Sequence, residues 1–411
     1  MVHIRNINRK FKFELPSVWE IIIYLLLFYT FFFQNAVKEI NGALIILNVS
    51  NILFGAINNR KSNIFFNIPS TTRMLVFVFV TVASSIIFGV SSTWSIHVGF
   101  RMIEYALSSI CIIEFYLFHK DKIKRLFFVL WLSILLLLAY VWNNGSSVYY
   151  DGAIGIDEVN SNAFSSYILL MIFCSFYLFI VAKGWILKSI TIASIVFATM
   201  AMIKTASRRG FIILLILLAM VIIFSIIPRY SKKQSINRLI LYILLGVVAC
   251  FGLYYISAYV LNSTTLGLRL SGKMTGGDIA RKTYQAFALK QFIDRPLFGV
   301  GLGGIQAMIG HYSHSMYYEL LSCTGVVGSI IFISLIVKVI KMIIYTRNKL
   351  NMVVNHNDKY MDNKFFLSLS IIYFLLIILS GYSVVMIYEF YFYLSISLIC
   401  LITFTALDNN E

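Results

Sequence analysis

The chain has 411 residues, of which 60% are hydrophobic and only 12% are charged. Soluble globular proteins carry about 25% charged residues, so this composition excludes a water-soluble fold and indicates a helical membrane protein. The net charge of +17 is expected to report membrane orientation and contact with anionic lipid headgroups, and nucleic acid is not an expected partner.

Apolar runs long enough to cross the hydrocarbon layer recur along the whole chain. They predict an all-α polytopic membrane protein in which residues 1–411 form a single integral domain of about twelve transmembrane helices. The predicted spans are 18–33, 42–57, 74–90, 101–118, 126–142, 163–182, 186–203, 211–227, 239–260, 316–337, 365–380 and 387–405.

The distribution of basic residues orients these spans. With a cytoplasmic N-terminus and an even number of spans, roughly two thirds of the Lys and Arg residues fall on the inner side, which satisfies the positive-inside rule and leaves both termini cytoplasmic. The exceptions gather in the short outer turn 204–210 and in the long outer loop 261–315. Because these two segments keep basic residues on the disfavoured side, they form the candidate site.

Three connections are long. The outer loop 143–162 carries Asp151, Asp157 and Glu158. The outer loop 261–315 is the candidate catalytic loop, whereas the inner loop 338–364, rich in Lys and Asn, is interpreted as a solvated orientation signal.

The turn KTASRRG places Arg208 and Arg209 at the outer boundary. They could be interfacial anchors, since an arginine side chain snorkels easily to a membrane surface. Alternatively, they capture an anion, because the planar guanidinium matches two phosphate oxygens at once.

Residues 278–294 of the long loop predict an amphipathic helix that lies in the outer interface. Its apolar residues are expected on one face and its basic residues elsewhere: Ile279, Tyr284, Phe287, Ala288 and Phe292 against Arg281, Lys282 and Lys290. Such a helix either binds lipid headgroups non-specifically or clamps the phosphates of a lipid-linked substrate.

The segment RPLFGVGLGG follows, and Arg295 opens it. A dinucleotide-binding loop would require a preceding strand in a βαβ unit, which a run of membrane helices does not supply. The glycines therefore predict a tight re-entrant turn whose backbone is buried against protein.

His311 and His314 stand at the outer start of the tenth span, followed by Glu319. The absence of companion Cys or carboxylate spacing argues against a metal, and neither metal nor cofactor is expected. A neutral imidazole can act as a general base. Glu319 pairs with a basic residue or orients a histidine, or it is a neutral hydrogen-bonded structural residue.

Two further polar groups belong to the outer half of the molecule. Arg101 shares a helical face with His97 and Glu104, and it is either a structural ion-pair partner of Glu104 or a substrate-binding residue. Asn160 and Asn162 precede the sixth span, where they cap the helix or contact substrate.

Four motifs in one order now resemble a known family. They are NSNA, TASRRG, DRPLFGVGLGG with an upstream arginine, and HSMYYELLSCTGVVG, and together they cover residues 160–335. This order is similar to that of the O-antigen polymerase and ligase family, the Wzy- and WaaL-type membrane glycosyltransferases of the GT-C class.

The resemblance implies a GT-C-like fold and a metal-independent glycosyl transfer from undecaprenyl pyrophosphate. Arg208 matches the arginine of the family's Ser-Arg turn, Arg281 the arginine before the Pro-Leu-Phe-Gly-Val-Gly stretch, and His314 the histidine of the His-Asn motif. These three are expected to be catalytic. Substrate-binding roles are expected for a second set: Arg209, Arg295, His311, Glu319, Arg101 and Asn162. Ser315 replaces the usual Asn, and Arg209 stands where a small residue is common.

The expected function is polymerisation of lipid-linked surface polysaccharide on the outer face of a bacterial plasma membrane. Lipid-linked donor and acceptor glycans and membrane lipids are the expected partners, with a chain-length regulator and a flippase as further candidates. The alternatives are a ligase that passes the glycan to another acceptor and a transporter of lipid-linked sugar, which would carry charges along a path through the membrane.

Overall fold

The structure is a computed structural model that describes residues 16–33, 69–144, 161–226, 258–271, 276–352 and 358–408, together with residue 252. Its α-helices, numbered in chain order, are α1 Val18–Phe28, α2 Pro69–Phe88, α3 Ser92–Phe118, α4 Ile123–Asn144, α5 Ser161–Val181, α6 Trp185–Lys204, α7 Arg208–Ile226, α8 Thr265–Leu270, α9 Gly276–Asp294, α10 Gly304–Ile309, α11 Met316–Asn351, α12 Asp358–Ser380 and α13 Phe390–Asp408. A π-helical turn, Tyr29–Phe33, extends α1. Within these ranges the fold is all-helical, as predicted.

Several of the helices can cross a membrane. Among the described residues, six are long and apolar enough to do so, and three shorter apolar helices accompany them: Val18–Phe32, Lys364–Ser380 and Phe390–Ala406. The protein is therefore a multi-pass membrane protein. The predicted span 42–57 and nearly all of 239–260 lie outside the described residues, so the total of about twelve stays a prediction.

Helix α13 lies at the centre of the bundle. Its sequence is apolar on all sides, which is the pattern of a helix without a solvent-facing surface. Nearly every residue of α13 is buried, and the helix packs against α3, α5, α11 and α12. Helix α6, in contrast, leaves a row of large apolar side chains exposed to the surroundings, as expected where a helix faces lipid: Trp185, Ile186, Ile190, Ile192, Val196 and Met200.

The inner loop predicted over 338–364 begins too early. Residues 338–351 continue α11 as regular helix. The helix continues because four residues at helical spacing are buried: Val339, Ile343, Thr346 and Leu350. The lysines between them make the segment look polar by composition, so the helical spacing was missed.

The predicted re-entrant turn is present and is held by backbone hydrogen bonds. Helix α11 is broken at Gly325, whose φ of 63° lies in the left-handed region. The N–H of Val326 donates to the carbonyl of Pro296 at 2.8 Å, and the N–H of Val300 donates to the carbonyl of Ser322 at 2.8 Å. The turn and the broken helix thus satisfy each other's backbone groups, as a bilayer requires.

Residues 278–294 form a helix, which confirms that part of the prediction. Its faces are largely as predicted, because Tyr284, Phe287, Ala288 and Phe292 are buried or half-buried and Lys282 and Lys290 are exposed. Two residues were assigned wrongly. Ile279, expected on the buried face, is 70% exposed. Arg281, expected elsewhere, shares the inward face with Tyr284 and with the fully buried Ala288. Packing of α9 against α11 selects this face, because either side of α9 offers apolar residues.

Candidate functional site

A cavity of about 350 Å³ opens between the ends of α5, α7, α8 and α9 and the loops that precede α11 and α13. Its described lining combines basic and polar side chains: Asn162, Arg208, Arg209, Arg269, Arg281, Lys282, Gln285, His314, Tyr382 and Ser383. We call it the arginine cavity. It brings together five of the predicted site residues, namely Asn162, Arg208, Arg209, Arg281 and His314.

The turn between α6 and α7 builds one wall of this cavity. Ser207 is fully buried, and its hydroxyl donates to Oδ1 of Asn162 at 2.7 Å, which joins the turn to the first turn of α5. Gly210 completes the join, because a Cβ atom there would lie 2.5 Å from the Cβ of Ser165. Only glycine therefore permits this approach of α7 to α5.

Arg209 of α7 forms hydrogen bonds with α5 and α12 beside the arginine cavity. Its guanidinium donates to the carbonyl oxygens of Ser380 at 3.1 Å and of Asn162, and to the hydroxyls of Ser165 at 3.1 Å and Ser166 at 3.0 Å. With this many protein acceptors, Arg209 shapes the cavity in addition to contributing charge. Its substrate-binding role stays a prediction.

Arg269 is a lining residue that sequence reasoning did not select as a site residue. It projects from the short helix α8, is only 5% exposed, and donates to the carbonyl of Ala206. Arg208 donates in turn to the carbonyl of Arg269 at 3.5 Å. The sequence feature that could have indicated Arg269 is its position in the basic outer loop 261–315.

Ala206 and His314 share an uncommon backbone conformation. Among the described non-glycine residues, they are the two with positive φ, at 53° and 59°. His314 lines the arginine cavity, and the carbonyl of Ala206 holds Arg269, which also lines it. Residues held in the left-handed region carry backbone strain and cluster at functional sites, so the pair marks this cavity independently of its charge.

His314 faces Arg281 and is surrounded by aromatic rings. Its imidazole lies 4.6 Å from the ring of Tyr312 and 5.8 Å from that of Tyr284, measured between ring centres. Its Nδ1 is buried without a hydrogen-bond partner among the described residues. Burial, helped by the positive charges of Arg281 and His311, lowers the pKa of His314 to about 4, so the imidazole is neutral at pH 7.

Glu319 anchors the loop that carries His314. Its carboxylate is fully buried and accepts the backbone N–H of Ser313 at 2.8 Å, one residue before His314. The hydroxyl of Tyr388 lies 3.5 Å from the other carboxylate oxygen. These contacts are compatible with two of the predicted roles, orientation of His314 through the backbone of the loop and a hydrogen-bonded structural role, and its substrate-binding role stays a prediction.

The loop between α12 and α13 supplies two lining residues that sequence reasoning missed, Tyr382 and Ser383. The carbonyl of Gly381 accepts the N–H of Met316 at 2.7 Å, which fixes this loop beside His314. No local pattern in the sequence indicated the approach, because it depends on how α12 packs against α11.

Besides Glu319, three predicted site residues lie beside the described lining or away from it. His311 stacks on Tyr284 at 5.2 Å, next to His314. Arg295 is exposed and donates at 3.3 Å to the carbonyl of Phe88, the last residue of α2. Arg101 is exposed on α3, within electrostatic reach of Glu104 and Glu389. Their substrate-binding roles stay predictions.

The arginine cavity has the chemistry of an anion site with an adjacent base. Four arginines and Lys282 face a volume large enough for a diphosphate, and arginine binds phosphate oxygens through paired hydrogen bonds. His314 lines the same cavity, and an imidazole that is neutral at pH 7 has one nitrogen that can accept a proton.

Comparison with known proteins points in the same direction. Residues 193–333 match the family model Wzy_C, described as O-antigen ligase. The match confirms the resemblance to the O-antigen polymerase and ligase family, and it contains Arg208, Arg281 and His314. Among curated proteins, no match to the chain was found.

Proposed function

Starting from the O-antigen ligase match over residues 193–333, we propose that this protein is a GT-C-like polymerase of lipid-linked surface polysaccharide. It transfers the growing glycan from undecaprenyl pyrophosphate to a hydroxyl of the next lipid-linked repeat unit. The observation that carries the proposal is the convergence of Arg208, Arg269, Arg281 and Lys282 on one cavity that also contains His314.

In the proposed reaction the acceptor hydroxyl attacks the anomeric carbon of the donor sugar. The bond from this carbon to the pyrophosphate oxygen breaks, the electron pair leaves with the pyrophosphate, and the hydroxyl proton passes to His314. Arg208 and Arg281 stabilise the charge that develops on the leaving group, and such fixed cations act more strongly in the transition state than in the ground state. No step requires a metal.

The arginine cavity is proposed to face the periplasm or cell exterior of a bacterial inner membrane, with both termini in the cytoplasm. The positive-inside distribution supports this orientation. Lys282 is exposed at the cavity, and the described cysteines are buried. A Lys282→Cys variant should therefore react with an impermeant maleimide added to intact cells. Labelling only after cell lysis would contradict the orientation.

A ligase is the second candidate, because the matching family model carries that description. The two functions share the donor and differ in the acceptor. A polymerase adds to another lipid-linked repeat unit, so product length grows in steps of one unit. A ligase transfers once to a different molecule. A transporter is disfavoured, because the basic groups of the cavity gather at one end of the bundle.

The test is an assay with purified full-length protein and one synthetic lipid-linked repeat unit. A ladder of products supports polymerisation. Unreacted substrate that becomes a single larger product only when a second acceptor is added would instead assign the ligase reaction. If the repeat unit stays unreacted both alone and with the second acceptor added, glycosyl transfer is contradicted.

Lys290→Ala serves as the matched control for Arg281→Ala in this assay. Both residues belong to α9, but Lys290 is exposed and lies outside the described lining of the cavity. The ladder should be lost in Arg281→Ala and retained in Lys290→Ala. Equal ladders from both variants would remove Arg281 from the mechanism.

A further inference from the structure

A second cavity, of about 430 Å³, lies at the other end of the bundle. It opens between α1, α4 and α5, and its wall is mainly apolar, with Phe128, Leu178 and Leu187 among the lining residues. Two basic residues, Lys124 and Arg125, complete the described lining at the start of α4. We call this cavity the basic slot.

Helix α5 shows that the basic slot and the arginine cavity are on opposite membrane faces. Asn162, in the first turn of α5, lines the arginine cavity, whereas Val181, its last residue, lines the basic slot. A helix rises 1.5 Å per residue, so the two ends lie roughly 30 Å apart, which is the thickness of the hydrocarbon layer. The basic slot is thus no extension of the arginine cavity.

The mouth of the basic slot has the character of a headgroup region. Trp185 is 76% exposed and Ile186 is 60% exposed beside it, and exposed Trp is typical of the membrane interface. An apolar wall below an interfacial mouth matches an acyl chain below its headgroup, because lipid tails fill apolar surface at this depth.

The charge at the mouth selects the headgroup. The segment 120–125 carries four basic residues and one carboxylate, that of Asp121. Glu20 adds a second carboxylate, which contacts Lys122 at 3.6 Å and Arg125 at 3.4 Å, so the cations still exceed the carboxylates by two. Lys124 remains exposed at the rim. A basic rim attracts a negatively charged phosphate group and gives a zwitterionic headgroup no comparable advantage.

We propose that the basic slot binds one anionic phospholipid, with its phosphate at Lys124, beside the ion pair of Arg125 and Glu20, and one acyl chain along Phe128, Leu178 and Leu187. This site is separate from the proposed glycan transfer and stands without it. The lipid belongs to the cytoplasmic leaflet, because the basic residues of this end follow the positive-inside rule.

The test is native mass spectrometry of the full-length protein in detergent, titrated with phosphatidylglycerol or with phosphatidylcholine of the same chain length. The wild type should retain one phosphatidylglycerol in preference to phosphatidylcholine. One basic residue near the membrane surface contributes about 1 kcal/mol to binding of an anionic lipid, so Lys124→Gln should reduce this preference about fivefold. Lys341→Gln, an exposed lysine of α11, should leave it unchanged.

A second variant tests the acyl-chain part of the slot. Ala182→Trp fills the lining near Leu178, whereas Ala193→Trp adds the same ring on an exposed face of α6. Only the first should abolish retention of phosphatidylglycerol.

Three results would overturn the proposal. One is equal retention of the two lipids by the wild type. Another is the same response to Lys124→Gln and Lys341→Gln, which would indicate annular lipid only. The third is retention of undecaprenyl pyrophosphate by the wild type in preference to phosphatidylglycerol, with that retention lost in Ala182→Trp, which would assign the slot to the lipid-linked substrate.

Discussion

The two ends of α5 arrange buried charge in different ways. At the end that begins with Ser161, arginines from α7, α8 and α9 point toward a cavity of about 350 Å³. At the other end, Lys122 and Arg125 converge on the fully buried carboxylate of Glu20, which also accepts a hydrogen bond from Tyr24 at 2.5 Å. One set of cations surrounds a space, and the other surrounds a protein anion.

The difference separates charges that stabilise the fold from charges that are available to bind a ligand. A carboxylate that is buried with two cations completes its own electrostatics, and its removal costs stability. Cations that line a cavity contribute to binding and to stabilisation of developing charge, so their removal should cost activity first. Variants at the two ends should therefore separate activity from stability.

The largest expected effect is at His314. Replacing it by alanine removes the proposed proton acceptor, and loss of a general base typically slows a reaction by about 10² to 10⁴. His97→Ala, at an exposed histidine of α3, is the control. The rate of glycan transfer by purified protein measures both variants, and a His314→Ala rate near that of the control would contradict the role.

Substitution of Arg281 should show the next largest effect, and it tests whether the cavity binds phosphate through arginine. Arg281→Ala is expected to lower kcat/KM by about 10² to 10³, the range found when one transition-state contact is removed. Arg281→Lys keeps the charge but loses the fork that holds two phosphate oxygens, so it should fall between alanine and wild type. If lysine were as poor as alanine while the thermal midpoint dropped equally in both, Arg281 would be structural.

Glu20→Gln should give the opposite pattern at the other end of α5. It leaves Lys122 and Arg125 without the carboxylate charge, and because Arg125 is partly exposed we expect a loss of about 1–3 kcal/mol in unfolding free energy. The thermal midpoint in detergent should decrease, and transfer at low temperature should persist. Lys341→Gln is the control for removal of an exposed charge. An unchanged thermal midpoint in Glu20→Gln would contradict the claim that the charges at this end of α5 stabilise the fold.

The smallest effect concerns pH. The pKa of His314 is lowered from 6.5 to about 4, so the neutral, proton-accepting form persists as pH falls through 6 and 5. The acid limb of kcat/KM, which reports the free enzyme, should therefore lie near pH 4. A bound diphosphate adds negative charge and should move the limb of kcat to higher pH. An acid limb of the wild-type kcat/KM near pH 6.5 would contradict this assignment.

Part of the fold and site could be predicted from the sequence. A bilayer demands apolar helices, so the apolar runs located most helices before their packing was known. The excess of basic residues on the disfavoured side marked the two segments that contain them, and the family resemblance then selected Arg208, Arg281 and His314, which do line one cavity. The glycines before α10 predicted a buried turn for a steric reason that also applies in the structure.

The rest depends on packing between segments distant in the chain. Arg269 enters the site through a hydrogen bond to Ala206, and Tyr382 through the contact of its loop with Met316. No local sequence pattern predicts either contact. The positions of Ile279 and Arg281 on α9 could not be predicted either, because they depend on how α9 packs against α11.

The most direct test of the account is whether the arginine cavity distinguishes a diphosphate from a monophosphate. Isothermal titration of farnesyl pyrophosphate and farnesyl monophosphate into purified protein compares the two without catalysis. We expect the diphosphate to bind the wild type about tenfold more tightly or better, because each additional charge-assisted contact contributes about 1.5–3 kcal/mol. This difference should vanish in the double variant Arg208→Ala, Arg281→Ala. Equal affinities in the wild type, or a difference that survives the double variant, would contradict the claim that these arginines hold a diphosphate.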